Sequence, residues 1–543
     1  MTGARVLVIG LDGAAWDIID PLIAQGELPN LAHLKKRGVH SPLNSTTPPM
    51  TLPSWSSMLT GCNPGKHGIF DFVSCKNWQL EFVNATHRKV PTIHRVLSDR
   101  GCRVASIAVP TTWPPEQLNG VVVSGFDSPV STGIDGSFCH PPEVYEQIVK
   151  RFGGLNFADF QESNIDEGWH QNAIKKLHKE IDRKEKVGNW LLGQERWDLF
   201  MLLFGESDTV SHHYWMFHDE HSPRHPRNTS TVLRNAIASI YKRLDATVGS
   251  LIEKANPDVV CICSDHGFGG AGVHILYLNR YLEQTGWLRY NKSSNMSVLL
   301  DRVKLRAVKH VPAKLQGKIF RNVPSFLKNQ LETKSRFGNI DFNQTKAVSD
   351  EMNYAATIRL NSPLQNPGSI QELKGLLLDW VVDGHKPVAN VFTREELYWG
   401  EATDLSPDLI LQMNLREGYS YTLLPSTRSH TTWRTLEPSE YFGGKGLGMN
   451  GSHRQHGVLM LYGDGVLENQ LVSSEMMDIA PTLLHLMGEK IPSHMDGQVL
   501  LDGLKSSLQP RYNQASHTST NTRPPTSEEN EAIRKRLEQL GYL

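Results

Sequence analysis

Five short runs of apolar and β-branched residues recur along the chain, and stretches of helical character separate them. The runs lie at 5–11, 104–109, 121–124, 199–204 and 259–264. A continuous apolar run of this length is typical of a strand that is covered on both faces. Such strands in alternation with helices predict an α/β fold with a mostly parallel sheet flanked by helices.

Three stretches between these runs predict helices, at 16–25, 29–38 and 173–192. The second has the clearest ends, since Pro29 is suited to a first helical turn and Gly38 to a position just past a helix.

Composition limits the class of protein. Hydrophobic residues make up 39% of the chain, too many for a disordered protein. The 56 Lys and Arg nearly balance the 57 Asp and Glu, which argues against a nucleic-acid partner. No apolar run approaches the roughly 18 residues of a membrane span. The six cysteines form no CxxC pair, so we expect a soluble, cytoplasmic protein.

The domain organisation is predicted from shifts in composition and from interruptions of the α/β rhythm. We expect one catalytic domain over 1–504, interrupted by cap-type insertions at about 127–198 and 281–345. Residues 505–525 are rich in Ser, Thr and Pro and predict a polar linker. A capping box then predicts a C-terminal helix over 526–543.

The second insertion contains a strongly basic segment, 302–336. It has ten Lys and Arg against one acidic residue, Glu332, with apolar residues interleaved. One interpretation is a helical insertion with a solvated basic face. The alternatives are a funnel for an acidic substrate and a helix that lies on a membrane surface.

Residues of the kind that bind metals follow or flank four of the strand-like segments. They are Asp12, Asp208, His212, Asp265, His266 and His453. Ligands of open α/β sheets bind at the carboxyl ends of the strands, so these side chains are expected to converge. A single Asp there is more often a helix cap, and a single His an ordinary buried polar residue. Their coincidence at four segments favours a site for two divalent ions such as zinc or manganese.

Two hydroxyl residues, Thr51 and Ser54, stand near helix-start signals in the segment 47–55. A hydroxyl at a helix N-terminus is well placed beside an anion, because free backbone N–H groups point at it. The alternative is that either residue is a plain N-cap.

Several motifs occur together in a specific order. They are VIGLDG (8–13), LPNL (28–31), TPPMTLPSW (47–55), LTGCNPGKHGI (59–69), 208–212, SDHGFG (264–269), GSH (451–453), DIAPTLL (478–484) and MDG (495–497). The chain thereby resembles the alkaline phosphatase superfamily and its type I phosphodiesterase / nucleotide pyrophosphatase branch, among phosphohydrolase/phosphomutase-like proteins. The resemblance covers about 4–127, 198–280 and 345–500, and implies an alkaline-phosphatase-like fold with helical caps.

The resemblance assigns roles to the candidate residues. Thr51 would be the nucleophile. Asp12, Thr51, Asp265 and His266 would hold one metal ion, and Asp208, His212 and His453 the other, with zinc preferred and manganese as the alternative. The reaction would proceed in two in-line steps through a phospho-threonine.

At two positions the sequence differs from the motifs of its relatives, and these differences narrow the range of activities that the resemblance implies. Sulfatases of the superfamily need Cys or Ser at the nucleophile and Arg four residues later, where this chain has Thr51 and Trp55. Nucleotide pyrophosphatases carry a phosphate-binding Asn where this chain has Phe70-Asp71-Phe72. Lys66 and His67 are candidates for phosphate contact instead, and the alternative is that both are ordinary loop residues.

We therefore expect a two-metal phosphodiesterase or phosphomonoesterase that acts on a phosphorylated small molecule or on a lipid or sugar phosphoester. A phosphotransferase or phosphomutase of the same superfamily is the alternative. A non-catalytic phosphate-binding relative is disfavoured, because Thr51 and all six other ligand candidates are present. We expect no nucleic-acid partner, and the one membrane contact considered is peripheral, through 302–336.

Overall fold

The structure is a computed structural model. It describes residues 4–76, 78–126, 136–155, 168–291, 337, 340–351, 355–361, 367–426, 429–442, 449–505 and 509–513. The predicted basic segment 302–336 and the predicted C-terminal helix 526–543 lie outside the described residues.

The strands, in chain order, are β1 (Val6–Leu11), β2 (Val39–Asn44), β3 (Val73–Lys76), β4 (Gln79–Phe82), β5 (Val104–Val109), β6 (Gly120–Ser124), β7 (Cys139–His140), β8 (Leu199–Phe204), β9 (Val259–Cys263), β10 (Gly267–Leu276), β11 (Ala347–Val348), β12 (Thr357–Leu360), β13 (Val388–Thr393), β14 (Leu409–Met413), β15 (Leu415–Arg416), β16 (Tyr419–Leu423), β17 (Trp433–Thr435), β18 (Gly451–Arg454), β19 (His456–Gly463), β20 (Gln470–Leu471), β21 (Ser474–Glu475), β22 (Ile491–Pro492) and β23 (Tyr512–Asn513).

The α-helices are α1 (Trp16–Ala24), α2 (Pro29–Arg37), α3 (Thr51–Thr60), α4 (Pro64–His67), α5 (Ile93–Asp99), α6 (Pro142–Phe152), α7 (Trp169–Leu192), α8 (Glu206–His218), α9 (Thr231–Arg234), α10 (Ala236–Ala255), α11 (Leu278–Gln284), α12 (Pro367–Leu378), α13 (Arg394–Leu397) and α14 (Ile479–Leu486). The three predicted helices correspond to α1, α2 and α7 and are confirmed.

A ten-stranded sheet forms the centre, in the order β20-β2-β19-β9-β1-β8-β5-β6-β7, with β21 also paired to β2. The five strands from β9 to β6 are parallel to one another. They coincide with the five apolar runs of the sequence. Strand β19 is antiparallel to both of its neighbours, and β7 is antiparallel to β6. The predicted mostly parallel α/β sheet is thus confirmed.

Both faces of this sheet are covered, which explains why its strands are continuously apolar. Leu7, Ile9 and Leu11 of β1 face a core that includes residues of α1, α2, α7, α8 and α10. Val6 and Val8 face the opposite core, which includes residues of α3, α5 and α14. Each such side chain contributes roughly 1.5–3 kcal/mol when fully buried. The two layers of helices therefore fix the sheet from both sides.

A second sheet extends from the carboxyl edge of the first. Three residues, 264–266, separate the end of β9 from the start of β10. Strand β10 pairs with β16, β17 and β18, which come more than 140 residues later in the chain. A separate four-stranded sheet has the order β11-β12-β14-β13.

The described parts of the predicted insertion and linker contain regular elements that pair or pack with other segments of the chain. In 127–198, β7 extends the central sheet and α7 packs against α10. In 505–525, β23 pairs in parallel with β22. Among the described residues, every helix falls short of the length or the apolar character that crossing a bilayer requires.

A candidate metal centre at the carboxyl edge of the sheet

Three aspartates meet at one edge of the sheet because their strands are neighbours. Asp12 directly follows β1, Asp208 lies in the first turn of α8 after β8, and Asp265 follows β9. Strand β1 pairs in parallel with both β8 and β9, so the three carboxyl ends are adjacent. All three side chains are buried.

Three imidazoles complete the cluster. His212 lies one turn after Asp208 on α8, so the two side chains share a helix face. His266 follows Asp265 in the chain. His453 lies on β18, directly opposite Phe268 of the neighbouring antiparallel strand β10. The cluster thus joins segments from both ends of the chain.

The ligand atoms form two groups that share Asp208. In one, Asp208 Oδ1 lies 3.3 Å from His212 Nε2 and 3.6 Å from His453 Nε2. In the other, His266 Nε2 lies 3.8 Å from Asp12 Oδ1 and 3.9 Å from Asp208 Oδ1. Within each group the ligand atoms all lie within 4.8 Å of one another. His266 Nε2 is also 3.2 Å from Asp265 Oδ2.

Each imidazole is held by a backbone carbonyl on its far side. The Nδ1–H of His212 donates to Gly451 O (3.0 Å), that of His266 to Gly267 O (3.1 Å) and that of His453 to Pro49 O (3.0 Å). A carbonyl only accepts, so the proton of each neutral ring must sit on Nδ1. Each Nε2 therefore presents a lone pair to the cluster, as in histidines that ligate metals.

Two carboxylates are oriented in the same way. Asp12 Oδ2 accepts from the indole N–H of Trp55 (3.1 Å), and Asp265 Oδ1 accepts from the N–H of Gly13 (3.1 Å). Their other oxygens, Asp12 Oδ1 and Asp265 Oδ2, are buried without a hydrogen-bond partner among the described residues. One oxygen of each carboxylate is thus fixed by the protein, and the other faces the cluster.

The pKa shifts of the cluster residues also suit the binding of a cation. Burial, then the charges of Asp265 and Asp208, raises the pKa of Asp12 well above its usual range. Burial raises the pKa of Asp265 to about 8. Burial lowers the pKa of His212 and of His266, which favours the neutral form of both rings. Buried carboxylates that crowd together with neutral imidazoles are the donor set of a divalent ion such as zinc.

Thr51 reaches the edge of this cluster. It is the first residue of α3, and its Oγ1 lies 3.5 Å from His266 Nε2. The N-cap of α3 is Met50, so Thr51 is not a capping hydroxyl. The hydroxyl of Ser54 bonds Ser45 and Thr46 instead. Of the two hydroxyls considered from the sequence, Thr51 is the one in contact with a cluster histidine.

Lys66 and His67 have other partners. Lys66 Nζ lies 2.6 Å from Asp496 Oδ1. His67 is buried with its Nε2 3.0 Å from Ser57 Oγ, and burial, then the charge of Arg88, lowers its pKa to about 3. Within the described chain, no contact joins either residue to the cluster. Phosphate contact by these two residues stays a prediction.

Sequence reasoning missed the residues that orient the ligands. In the sequence, Trp55 is notable only for standing where sulfatases of the superfamily have an arginine. Its bond to Asp12 depends on the packing of α3 against β1. The carbonyls of Gly451, Gly267 and Pro49 have no side-chain signal at all. The sequence thus indicates the candidate ligands but not the groups that orient them.

The chain matches one family model and no curated protein sequence. The model, described as type I phosphodiesterase / nucleotide pyrophosphatase, matches residues 6–373. No curated protein matches the chain. The matched range includes every cluster residue except His453.

Two solved structures are similar to the chain at low sequence identity. Phosphonoacetate hydrolase from Sinorhizobium meliloti 1021, in complex with phosphonoformate, is 15% identical with a TM-score of 0.53, over 90% of this chain and 96% of that one. Human ectonucleotide pyrophosphatase / phosphodiesterase 5 is 14% identical with a TM-score of 0.48, over 92% of this chain and 100% of that one. At 15% identity, the similarity to phosphonoacetate hydrolase concerns the fold alone.

Proposed function

The chain belongs to the type I phosphodiesterase / nucleotide pyrophosphatase family, and from this membership we propose that it hydrolyses a phosphoester with Thr51 as nucleophile and two divalent cations. The family makes it a phosphoester hydrolase of the phosphodiesterase/pyrophosphatase type. The observation that carries the finer proposal is the cluster of six buried candidate ligands with the Thr51 hydroxyl at its edge, 3.5 Å from His266 Nε2.

The ligand set divides between two ions. We assign Asp12, Thr51, Asp265 and His266 to one ion and Asp208, His212 and His453 to the other. Zinc is the preferred ion because it takes imidazole and carboxylate together, and manganese is the alternative. When bound, such ions lower the pKa of a coordinated hydroxyl and offset negative charge on a phosphoryl group.

The N-terminus of α3 supplies further stabilisation of an anion. The N–H groups of Thr51 and Leu52 are in the first turn, where they have no partner inside the helix. Pro53, the third residue, has no N–H. Two backbone donors and the positive end of the helix dipole therefore lie beside the hydroxyl, which suits a phosphoryl group.

The reaction proposed for these residues has two displacements. Thr51 Oγ1 gives up its proton and forms a bond to phosphorus as the bond to the leaving alcohol breaks. A water molecule then attacks the phospho-threonine, so that the bond to Oγ1 breaks and the hydroxyl regains a proton. Trp55 and Gly13 hold Asp12 and Asp265 in place through both steps.

The proposed substrate is a phosphorylated small molecule or a lipid or sugar phosphoester. A cytoplasmic location is proposed as well, because the six cysteines of the sequence form no CxxC pair and no spacing typical of a disulfide framework.

The test is hydrolysis of a panel of aryl phosphate monoesters and diesters by metal-free protein, with and without added zinc or manganese. Thr51→Ala should abolish turnover and leave two ions bound per chain, because six ligand side chains remain. A phospho-threonine should be detectable by intact mass after rapid quenching. An added alcohol that becomes phosphorylated would identify a transferase instead.

Ser54→Ala is the matched control, since it removes a buried hydroxyl from the same helix. It should retain far more activity than Thr51→Ala. If Ser54→Ala eliminates turnover while Thr51→Ala retains more than a few per cent, the assignment of the nucleophile is wrong.

A further inference from the structure

Asn450 makes three hydrogen bonds to the helix that carries two of the candidate ligands. The residue is fully buried and lies directly before β18. Its backbone N–H donates to His212 O (2.8 Å), its side-chain Oδ1 accepts from the N–H of Met216 (2.8 Å), and its Nδ2 donates to His213 O (2.9 Å). Asn450 therefore bonds three positions within one turn of α8.

Two of these bonds involve backbone groups that ordinarily hydrogen-bond each other within the helix. In a regular α-helix, the N–H of Met216 donates to the carbonyl of His212, four residues earlier. Here the same carbonyl and the same N–H both bond Asn450. Asn450 thus bonds both of the groups that a regular helix pairs at this position. The turn concerned begins at His212.

The next residue brings the two backbones still closer. A Cβ at Gly451 would lie 2.2 Å from the carbonyl oxygen of Ser211, so only glycine allows this approach. The approach lets the Nδ1–H of His212 donate to Gly451 O (3.0 Å). Two residues further along β18, His453 places its Nε2 3.1 Å from His212 Nε2.

We propose that Asn450 is a positioning residue, which joins the His212 turn of α8 to β18 and so sets the separation of the His212 and His453 imidazoles for one cation. The inference rests on the proposed metal-dependent function. The competing account is that Asn450 only stabilises the fold by satisfying buried backbone groups.

A metal titration separates the two accounts without measuring activity. Metal-free protein is titrated with Co²⁺, and the visible absorption of the imidazole-ligated ion reports each site. The unchanged protein should bind two equivalents. In Asn450→Ala the second equivalent should bind at least ten-fold more weakly, the usual lower bound for losing a group that orients a ligand.

Asn279 offers a matched control outside the cluster. It is also buried, and its amide donates to Ser349 O and accepts from Ser349 N–H, both at 2.8 Å. Asn279→Ala should lower the Tm of the metal-free protein as Asn450→Ala does. Unlike Asn450→Ala, it should leave both Co²⁺ affinities unchanged.

A second variant covers the case in which Asn450→Ala does not fold. Asn450→Asp keeps the side-chain volume and the bond from Met216, but its carboxylate cannot donate to His213 O. It should weaken the second Co²⁺ site at least ten-fold as well. Unchanged affinity for two ions in the folded variant overturns the positioning role and leaves the proposed function standing. If the unchanged protein binds no ion, the proposed function fails and this inference fails with it.

Discussion

At the scale of single residues, Trp55 connects α3, the helix that begins at Thr51, to a candidate ligand. Its indole N–H donates to Asp12 Oδ2, which leaves Asp12 Oδ1 turned toward the cluster. Trp55→Phe keeps the ring and removes the donor. We expect zinc affinity at the Asp12 site to fall by about 10–100-fold, because the carboxylate is no longer held in one orientation. Equilibrium zinc titration of the folded variant measures the change.

Trp113 provides the control for this substitution. It is also fully buried, but its indole nitrogen has no hydrogen-bond partner among the described residues. Trp113→Phe should therefore leave zinc affinity as it is. Equal losses in both variants would show that ring replacement in the core, and not the bond to Asp12, is responsible.

The positions of the candidate ligands relative to the strands can be predicted from the sequence, whereas the groups that hydrogen-bond those ligands cannot. Asp12 and Asp265 follow apolar runs directly, and parallel strands bring such positions to one edge whatever the strand order. The bond from Trp55 depends on the rotation of α3 over the sheet. His453 lies on an antiparallel strand, so its contact with His212 follows from the pairing of β18 with β10, which no local pattern predicts.

At the scale of elements, the N-terminus of α2 is capped by another helix. Its own N-cap position is Leu28, which makes no capping bond with its side chain. The carboxylate of Asp245, on α10, accepts instead from the N–H groups of Asn30 (3.2 Å) and Leu31 (2.7 Å). Pro29 and Gly38 correctly predict where α2 begins and ends, but the capping group is 215 residues away from Asn30 in the chain.

Asp245→Asn should destabilise the folded protein by about 1–3 kcal/mol, because a charged acceptor near a helix N-terminus is replaced by a neutral one with a single carbonyl oxygen. Urea unfolding measures the loss, and metal content should not change. Asp379→Asn is the control, since that side chain is 79% exposed in its pair with Lys386. A loss in Asp245→Asn no larger than in this control would contradict the capping role.

At the scale of the whole molecule, buried histidines limit stability in acid. His94 is buried, its Nε2 has no hydrogen-bond partner among the described residues, and burial, then the charge of Arg88, lowers its pKa to about 3. The unfolded chain takes up this proton near pH 6.5 and the folded chain does not. The free energy of unfolding therefore falls as the pH drops from about 6.5 toward 3.

His94→Leu should remove this contribution, which amounts to about 1.4 kcal/mol per pH unit within that range. Urea unfolding of metal-free protein between pH 7.5 and 4 measures it. The stability of the variant relative to the unchanged protein should increase as the pH falls. His221→Leu, at an exposed position, should show no such trend. A pH-independent difference for His94→Leu would refute the assignment.

Cation binding should also stabilise the whole fold. A ligand present at one hundred times its Kd stabilises the folded state by about 2.7 kcal/mol per site. Removal of metal with a chelator should therefore lower the Tm and abolish activity, and zinc should restore both. Elemental analysis should find two ions per chain. One ion or none in an active preparation would contradict the two-metal proposal.

The overall architecture is predictable only in part. The five apolar runs predict the parallel strands, because burial on both faces requires continuous apolar sequence. The small sheet of β11–β14 escaped prediction: strands such as β13 are partly exposed and lack a continuous apolar run. The order of strands, with β1 central, depends on long-range pairing that no single segment encodes.

The spread of the ligand set along the chain has a consequence for biosynthesis. Asp12 leaves the ribosome well before His453, and three strands of the central sheet, β19, β20 and β21, follow His453 in the chain. A nascent chain that stops between these points can hold at most the cation assigned to Asp12, Thr51, Asp265 and His266. Translation that ends early therefore yields fragments that lack at least one residue of the proposed two-ion centre.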